Sequence, residues 1–268
     1  MTVGQRWKSI IAALRKARWW RMPANDDRSE YPLFEKSRQI GMRLPNTREI
    51  VEVDVAISND GLFLFEGDIV LGRETMLEGF GISTPGMLWP GAQIPFRIES
   101  GDQAVIDAAI AEWHVKTPIR LVPFNSAVHT HFIIFRQSAG ESLSEVGRQP
   151  QTPQVILLAS GGSAGVAMHE IGHAAGLWHE HTRPLRDQSI TVHMNNIELS
   201  ARKYFKIRKD DGSTFGQPYD YGSIMHYASN AYSANGLPTI APTQASAVIG
   251  QRDHLSAGDI TTIQAMYP

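Results

Sequence analysis

The chain has 268 residues, of which 42% are hydrophobic and 19% charged, so it can form one large domain with an extension or two small domains. Its formal net charge of −2 gives no global field that would attract nucleic acid, and no apolar run reaches the length of a transmembrane helix. The absence of cysteine excludes disulfides, a cysteine metal ligand and a thiol-based switch.

The first 31 residues are predicted to be a basic N-terminal extension. Residues 1–25 contain six Lys or Arg and no acidic residue, and their apolar side chains recur at helical spacing. Such an amphipathic segment is able to contact a membrane surface, but a loosely docked or disordered extension is the favoured interpretation. Its apolar stretch is too short for a signal peptide and no cleavage site follows it. The expected localisation is therefore cytoplasmic, or export by a non-standard route.

Extended structure is predicted after this extension. Residues 26–48 are polar and contain Pro32 and Pro45, with Pro23 just before them, which predicts a linker. The alternation of apolar and polar residues over Ile50–Ile57 predicts a half-exposed strand. A turn is predicted at Asn59–Gly61, after which Leu62–Phe65 leads into Glu66–Asp68.

From about residue 80 onward, strands and helices are predicted to alternate. Strands are expected at 94–98, 119–123, 132–135 and 154–159. Ser100 and Gln103 form a capping-box pattern before a first helix, a second runs from near Ser163 to Gly176, and a last one begins near Ser256. Regular structure thins after the second helix. The sequence therefore predicts an α+β fold with two lobes.

The second predicted helix carries a metal-binding pattern. His169 and His173 are four residues apart, so on a helix they project about 40° apart and about 6 Å along one face. Two imidazole nitrogens at this spacing can reach one Zn²⁺ ion. Glu170, one position further round the helix, is placed to reach a water on the metal without ligating the metal.

A third histidine completes the pattern. His179 follows His173 by six residues, and on a continuing helix it would be rotated by about 240° onto the wrong side. The helix must therefore end, and Gly176 is the residue able to adopt the left-handed conformation that ends it. Three imidazoles leave a coordination position for water, as in catalytic sites with one zinc ion. Such a site can activate water for a hydrolytic reaction, with Glu170 as general base.

These residues resemble those of a known family. The run His169–His179 is similar to the metzincin zinc-binding consensus, and the extension to Arg183 is similar to that of the astacin-like metallopeptidases. Ser223–Tyr227 resembles the Met-turn of that family, and Leu255–Ile263 resembles its closing helix. Further similar strings occur upstream in family order: Leu88-Trp89, Ile94–Phe96, Lys116–Arg120 and Val146–Arg148.

The resemblance covers roughly residues 80–268 and implies a catalytic domain there, one that hydrolyses peptide bonds. It implies a metzincin-type fold, with a mixed, mostly parallel sheet and two long helices in the N-terminal lobe and an irregular C-terminal lobe with a closing helix. One departure is clear, because family members usually carry two disulfides. This chain has Pro118, Ser142 and Gly161 where cysteines are expected.

The resemblance also implies roles for residues near the metal. Tyr227 is expected to be a fifth zinc ligand that swings away to donate a hydrogen bond to the reaction intermediate; a buried core tyrosine is the alternative. Met225 is expected to pack beneath the ligands, since a neutral thioether is a poor zinc ligand. Glu180 corresponds to the residue that anchors the mature N-terminus.

An inhibitory segment is predicted at residues 32–79. Phe65–Asp68 resembles the aspartate switch of astacin pro-segments, in which Asp68 would ligate zinc in the latent form only. An ordinary glycine-containing turn is the alternative. Activation then requires cleavage between Asp68 and Trp89 by another protease, with Arg73 and the region near Phe80 as candidate positions. The expected partners are thus a protein or peptide substrate and an activating protease.

Two other functions remain open. A catalytically silent module would use the same metal site to hold peptides, but the intact Glu170 argues against it. An enzyme of another metzincin branch would have a zinc site without Tyr227 nearby.

Overall fold

The computed structural model describes residues 36–43, 50–57, 62–66, 68–73, 87–208 and 214–268. The predicted basic extension at 1–31 and the candidate cleavage region near Phe80 lie outside these residues. In the described part of the chain, no helix has the length and apolar character needed to cross a membrane.

The regular elements are numbered in chain order. The strands are β1 (Lys36–Arg43), β2 (Ile50–Ile57), β3 (Leu62–Phe65), β4 (Ile69–Arg73), β5 (Gln93–Ile98), β6 (Arg120–Pro123), β7 (Ile133–Ser138), β8 (Ser144–Glu145), β9 (Gln154–Ala159), β10 (Ile190–Val192) and β11 (Ile240–Pro242). The helices are α1 (Gln103–Lys116), α2 (Ala164–Ala175) and α3 (Ala257–Met266). Short 3₁₀ helices lie at Pro90–Ala92, Glu180–Thr182, Arg186–Gln188, Met194–Asn196 and Leu199–Phe205.

The N-terminal lobe is a parallel sheet covered by two helices. Its strand order is β6-β5-β7-β9, and each neighbouring pair runs parallel. Helices α1 and α2 pack on each other, and the indole of Trp113 on α1 donates a hydrogen bond of 3.2 Å to the carbonyl of Met168 on α2. Ile94, Phe135 and Ile171 are fully buried in the same core. The prediction of a mostly parallel sheet with two long helices in this lobe is confirmed.

The N-terminal strands extend a second sheet whose order is β1-β2-β3-β4-β8. Strands β1 to β4 pair antiparallel in sequence, and β4 then pairs parallel with β8, which belongs to the N-terminal lobe. The linker predicted at 26–48 is wrong over residues 36–43. Strand β1 pairs with β2 along its whole length, a non-local contact that composition does not reveal.

The C-terminal lobe follows α2 and is mostly irregular, as predicted. It contains the two-stranded sheet β10-β11 and ends with α3. Its core is a separate cluster that includes Tyr204, Phe205, Tyr227 and Tyr232. Met225, two residues before Tyr227, lies instead in the core of the N-terminal lobe. The two lobes therefore meet at this turn.

The helix ends follow local chemistry. Helix α1 begins after Asp102, whose carboxylate accepts hydrogen bonds from Ala104 N and Val105 N at 3.0 and 3.3 Å. The predicted capping box of Ser100 and Gln103 is wrong, because the carboxylate of Asp102 reaches both amides directly. Helix α3 begins near Ser256, as predicted, and Ser256 is its N-cap.

Candidate metal centre

Helix α2 and the turn after it bring three histidines together. Gly176 has a φ of 109° and ends the helix, in the left-handed conformation that the sequence predicted. The rings of His169 and His173 lie 4.7 Å apart between centroids. The chain then turns back, so that the ring centroid of His179 lies 4.8 Å from that of His173 and 5.3 Å from that of His169. All three side chains are buried.

Asp68 enters this cluster from the residue before β4. Its Oδ2 lies 3.1 Å from Nε2 of His179 and 3.3 Å from Nε2 of His169, and its Oδ1 lies 3.8 Å from Nε2 of His173. The four potential ligand atoms all lie within 4.8 Å of one another. The structure thus brings Asp68 and the three histidines to one point.

These residues fit a zinc ion. Ligand atoms that share a tetrahedral Zn²⁺ at 2.0–2.1 Å are roughly 3.3 Å apart, close to the spacings between Asp68 and the histidines. Within the described residues, His173 Nε2 and Asp68 Oδ1 are buried without a hydrogen-bond partner. A shared cation would satisfy both atoms. Imidazole nitrogen with one carboxylate oxygen is also a donor set that suits zinc.

The environment sets the charge states of the ligands. Burial, followed by the charge of Arg252, lowers the pKa of His169 to about 3, and burial also lowers the pKa of His173. Both imidazoles are therefore neutral, the form that binds metal. Burial opposes ionisation of Asp68, but the positive charge of His179 acts against burial, and the pKa of Asp68 is held well below its usual value. Asp68 is therefore a carboxylate, which suits it to ligate a cation.

Each imidazole also has a partner for its outer nitrogen. Nδ1 of His169 lies 2.8 Å from the carbonyl of Ile224, and Nδ1 of His173 lies 2.8 Å from the carbonyl of Leu177. Because a carbonyl only accepts hydrogen bonds, Nδ1 carries the proton in both rings. The lone pair of Nε2 is left to face the centre, as in metal-ligating histidines.

Glu170 and Tyr227 are both fully buried, and their predicted catalytic roles stay predictions. Glu170 follows His169 on α2. The hydroxyl of Tyr227 donates a hydrogen bond to the carbonyl of Glu66, and its ring lies 4.6 Å from that of His179. Tyr227 therefore lies beside the centre, as the predicted role requires.

His181 faces away from the centre, as expected from its position two residues beyond His179. Its ring stacks on Tyr227 with centroids 3.9 Å apart. Its Nε2 lies 3.1 Å from the carbonyl of Tyr204. His181 is thus a packing partner of Tyr227.

Met225 packs against α2, as predicted. The contact depends on Gly172, because a Cβ at that position would lie 2.6 Å from Sδ of Met225. Met225 is fully buried and Trp113 also contacts this position. The Met-turn therefore lies directly against the helix that carries His169 and His173.

Glu180 lies at the wall of a cavity of about 340 Å³, together with Leu88 and Met266. Its Oε1 accepts hydrogen bonds from Arg183 Nη1 at 2.6 Å and Asp220 N at 2.7 Å. Burial raises the pKa of Glu180 to about 7, against the lowering effect of Arg183. The predicted role of Glu180 as an anchor for the mature N-terminus stays a prediction.

Two residues at the centre were not singled out from the sequence. Glu66 lies within the aspartate-switch motif, but only Asp68 was given a role there. Its Oε2 lies 2.7 Å from Nδ1 of His179 and its Oε1 3.4 Å from Nη1 of Arg208. Arg208 stands in no motif, and its guanidinium carbon lies 3.2 Å from the ring centroid of Trp178. Only the charge of Glu66 beside Asp68 could have drawn attention to this pair.

Known proteins share both the sequence and the fold. Residues 81–268 match the profile of Astacin (Peptidase family M12A). The chain is 37% identical over 221 residues to zinc metalloproteinase nas-7 of Caenorhabditis elegans, covering 80% of this chain and 56% of that protein. It is 35% identical over 191 residues to Tolloid-like protein 2 of Homo sapiens, covering 67% of this chain and 19% of that protein.

A solved structure agrees. High choriolytic enzyme 1, a hatching enzyme zinc-protease from Oryzias latipes, superposes with a TM-score of 0.63 at 32% identity, covering 69% of this chain and 96% of that chain. The chain spans about half or less of the length of the two curated relatives above. The profile match covers most of the chain and includes the three histidines, Glu170 and the Met-turn. The chain therefore belongs to the astacin family of zinc peptidases, peptidase family M12A, as its sequence resemblance predicted.

Proposed function

We propose that the chain is a zinc metalloendopeptidase that hydrolyses peptide bonds in protein or peptide substrates and is made in a latent form. The observation that carries this proposal is the buried cluster of His169, His173 and His179 with Asp68 within it. When bound by these histidines, zinc polarises the peptide carbonyl and lowers the pKa of a coordinated water to about 7.

Two side chains do the remaining chemistry. Glu170 accepts the proton of the attacking water and returns it to the leaving amine, which makes it the general base and then the general acid. Tyr227 donates its hydroxyl hydrogen bond to the oxyanion that develops on the scissile carbonyl. In the structure this hydroxyl is bonded to the carbonyl of Glu66, so it becomes available only when Glu66 leaves.

Strand β8 supplies the place for an extended substrate. Its Ser144 N donates a hydrogen bond of 3.0 Å to the carbonyl of Asp68, and β4 continues the pairing in parallel. Once this N-terminal strand has left, the same backbone groups can pair with a substrate peptide. The edge of β8 is thus the proposed substrate-binding strand.

Glu66, Asp68 and strand β4 support latency because together they occupy three functional elements at once. The carboxylate of Asp68 lies among the three histidines, the carbonyl of Glu66 holds the hydroxyl of Tyr227, and β4 covers β8. A substrate cannot reach the centre while these contacts persist. An activating protease must therefore cut between Asp68 and Trp89, after which the new N-terminus can enter the cavity beside Glu180.

The test compares the cleaved chain with its Glu170→Gln variant. Loss of the general base should lower kcat/KM for a peptide substrate by about 10²–10⁴-fold while zinc content stays at one ion per chain. Glu99→Gln, which changes an exposed carboxylate paired with Arg136, is the matched control and should keep full activity. Equal activity of Glu170→Gln and the unchanged chain would contradict the catalytic proposal. If neither hydrolyses peptides but both bind them, the chain is instead a silent binding module.

A further inference from the structure

The three candidate ligand histidines differ in what holds their outer nitrogens. The partners of His169 and His173 are backbone carbonyls, and both lie within the part of the chain that matches the astacin profile. The partner of His179 is a side-chain carboxylate, that of Glu66, at 2.7 Å from Nδ1. Glu66 precedes the astacin-matching region. One imidazole of the centre is therefore oriented by a residue that leaves on activation.

The side chain of Glu66 is held in one position by its surroundings. Its side chain is 1% exposed, and its φ of 53° lies in the left-handed region that non-glycine residues rarely adopt. Its Oε1 lies 3.4 Å from Nη1 of Arg208, which itself lies over the ring of Trp178. The carboxylate is thus fixed between Arg208 and His179, with one oxygen directed at each.

We propose that Glu66 is a positioning residue for His179, whose carboxylate orients the imidazole and strengthens it as a zinc ligand in the uncleaved chain. This inference rests on the proposed function, because it assumes that the centre binds zinc. A carboxylate that accepts the Nδ1 proton fixes the tautomer and increases the basicity of Nε2. A backbone carbonyl also fixes the tautomer, but it has no negative charge with which to increase the basicity of Nε2.

A consequence follows for zinc binding. The uncleaved chain offers the ion the three histidines, Asp68, and the carboxylate of Glu66 behind His179. Cleavage removes both carboxylates. The N-terminal segment therefore retains zinc in the latent chain as well as blocking the substrate, and the activated enzyme holds the ion less tightly.

The experiment measures zinc affinity of the intact full-length chain by competition with a chromophoric chelator, with mass spectrometry to show that the chain is uncut. Glu66→Ala removes both orientation and charge and should weaken zinc binding by about 10–100-fold. Glu66→Gln keeps an acceptor oxygen but no charge and should lie between Glu66→Ala and the unchanged chain.

Two controls separate positioning from docking of the segment. Arg208→Gln removes the other partner of Glu66 but leaves the bond to His179, so zinc affinity should fall by less than about 3-fold, well short of the loss expected on removing the carboxylate itself. Glu99→Gln, at an exposed Glu–Arg pair that is not part of the metal cluster, should leave zinc affinity unchanged.

The outcomes discriminate between the two proposals. Equal zinc affinity in Glu66→Ala and the unchanged chain would overturn the positioning role while leaving the peptidase proposal intact. A loss in Arg208→Gln as large as in Glu66→Ala would also overturn it, because the effect would then come from docking. A full-length chain that binds no zinc at all would overturn both proposals.

Discussion

Replacing Asp68 by alanine should activate the uncleaved chain. The carboxylate is 2% exposed and lies 3.1 to 3.8 Å from three imidazoles, so the substitution removes one partner from a buried, charged cluster. Such a loss costs about 3–5 kcal/mol. If the loss falls on the closed state, the open population rises by about 100-fold or more, since each 1.4 kcal/mol is a factor of ten. The contacts of Glu66 and β4 remain, so activity should stay below that of the cleaved enzyme.

The assay follows hydrolysis of a fluorogenic peptide by the intact chain, with its mass checked before and after. Asp107→Ala, at an exposed position of α1, is the matched control and should stay latent. Asp68→Ala combined with Glu170→Gln should be inactive, which excludes a contaminating protease. If uncleaved Asp68→Ala is as inert as the unchanged chain while the cleaved enzyme is active, the reasoning about Asp68 is refuted.

Two further predictions concern stability. Gly172→Ala places a Cβ 2.6 Å from Sδ of Met225. The free energy of unfolding, measured by urea denaturation, should therefore fall by roughly 1–3 kcal/mol despite the better helix propensity of alanine. Adding Met225→Ala to this variant should relieve part of the loss. A gain in stability would contradict the packing argument. Burial, with the charge of Arg120, lowers the pKa of His114, whose Nε2 accepts a hydrogen bond from Leu121 N. Below pH 6.5 the unfolded chain then binds more protons than the folded chain. The stability that His114 contributes is therefore present above pH 6.5 and is lost as the pH falls below it. In urea titrations at several pH values, His114→Gln should flatten this pH dependence.

Local signals in the sequence were sufficient for much of the fold. The ends of α2 follow from Ser163 and Gly176, because a capping hydroxyl and a left-handed glycine act within a few residues of the helix. Strand β1 was missed because its support comes from pairing with β2, and its flanking prolines suggested a linker. Helix α1 begins after Asp102 because the carboxylate of this residue accepts hydrogen bonds from the free amides of the first turn. The capping-box motif at Ser100 did not show which of the two neighbouring residues would be the N-cap.

The centre shows the same division. His169, His173 and His179 were identifiable because helix geometry alone relates their spacing to one ion. The placement of Asp68 among them followed from resemblance. The bond from His179 to Glu66 and the ion pair with Arg208 join residues more than 100 positions apart, and no spacing rule predicts such contacts.

Strand β8 pairs with β4, and the proposed activation would free the backbone groups of β8 that this pairing occupies. Those backbone groups could then form hydrogen bonds with any extended chain. The released N-terminal strands would be the nearest extended chain. On the proposed activation, a substrate would therefore compete for β8 with the released N-terminal segment. Full peptidase activity should then appear only after that segment has been diluted or degraded. The rise in activity should therefore lag behind the cleavage itself.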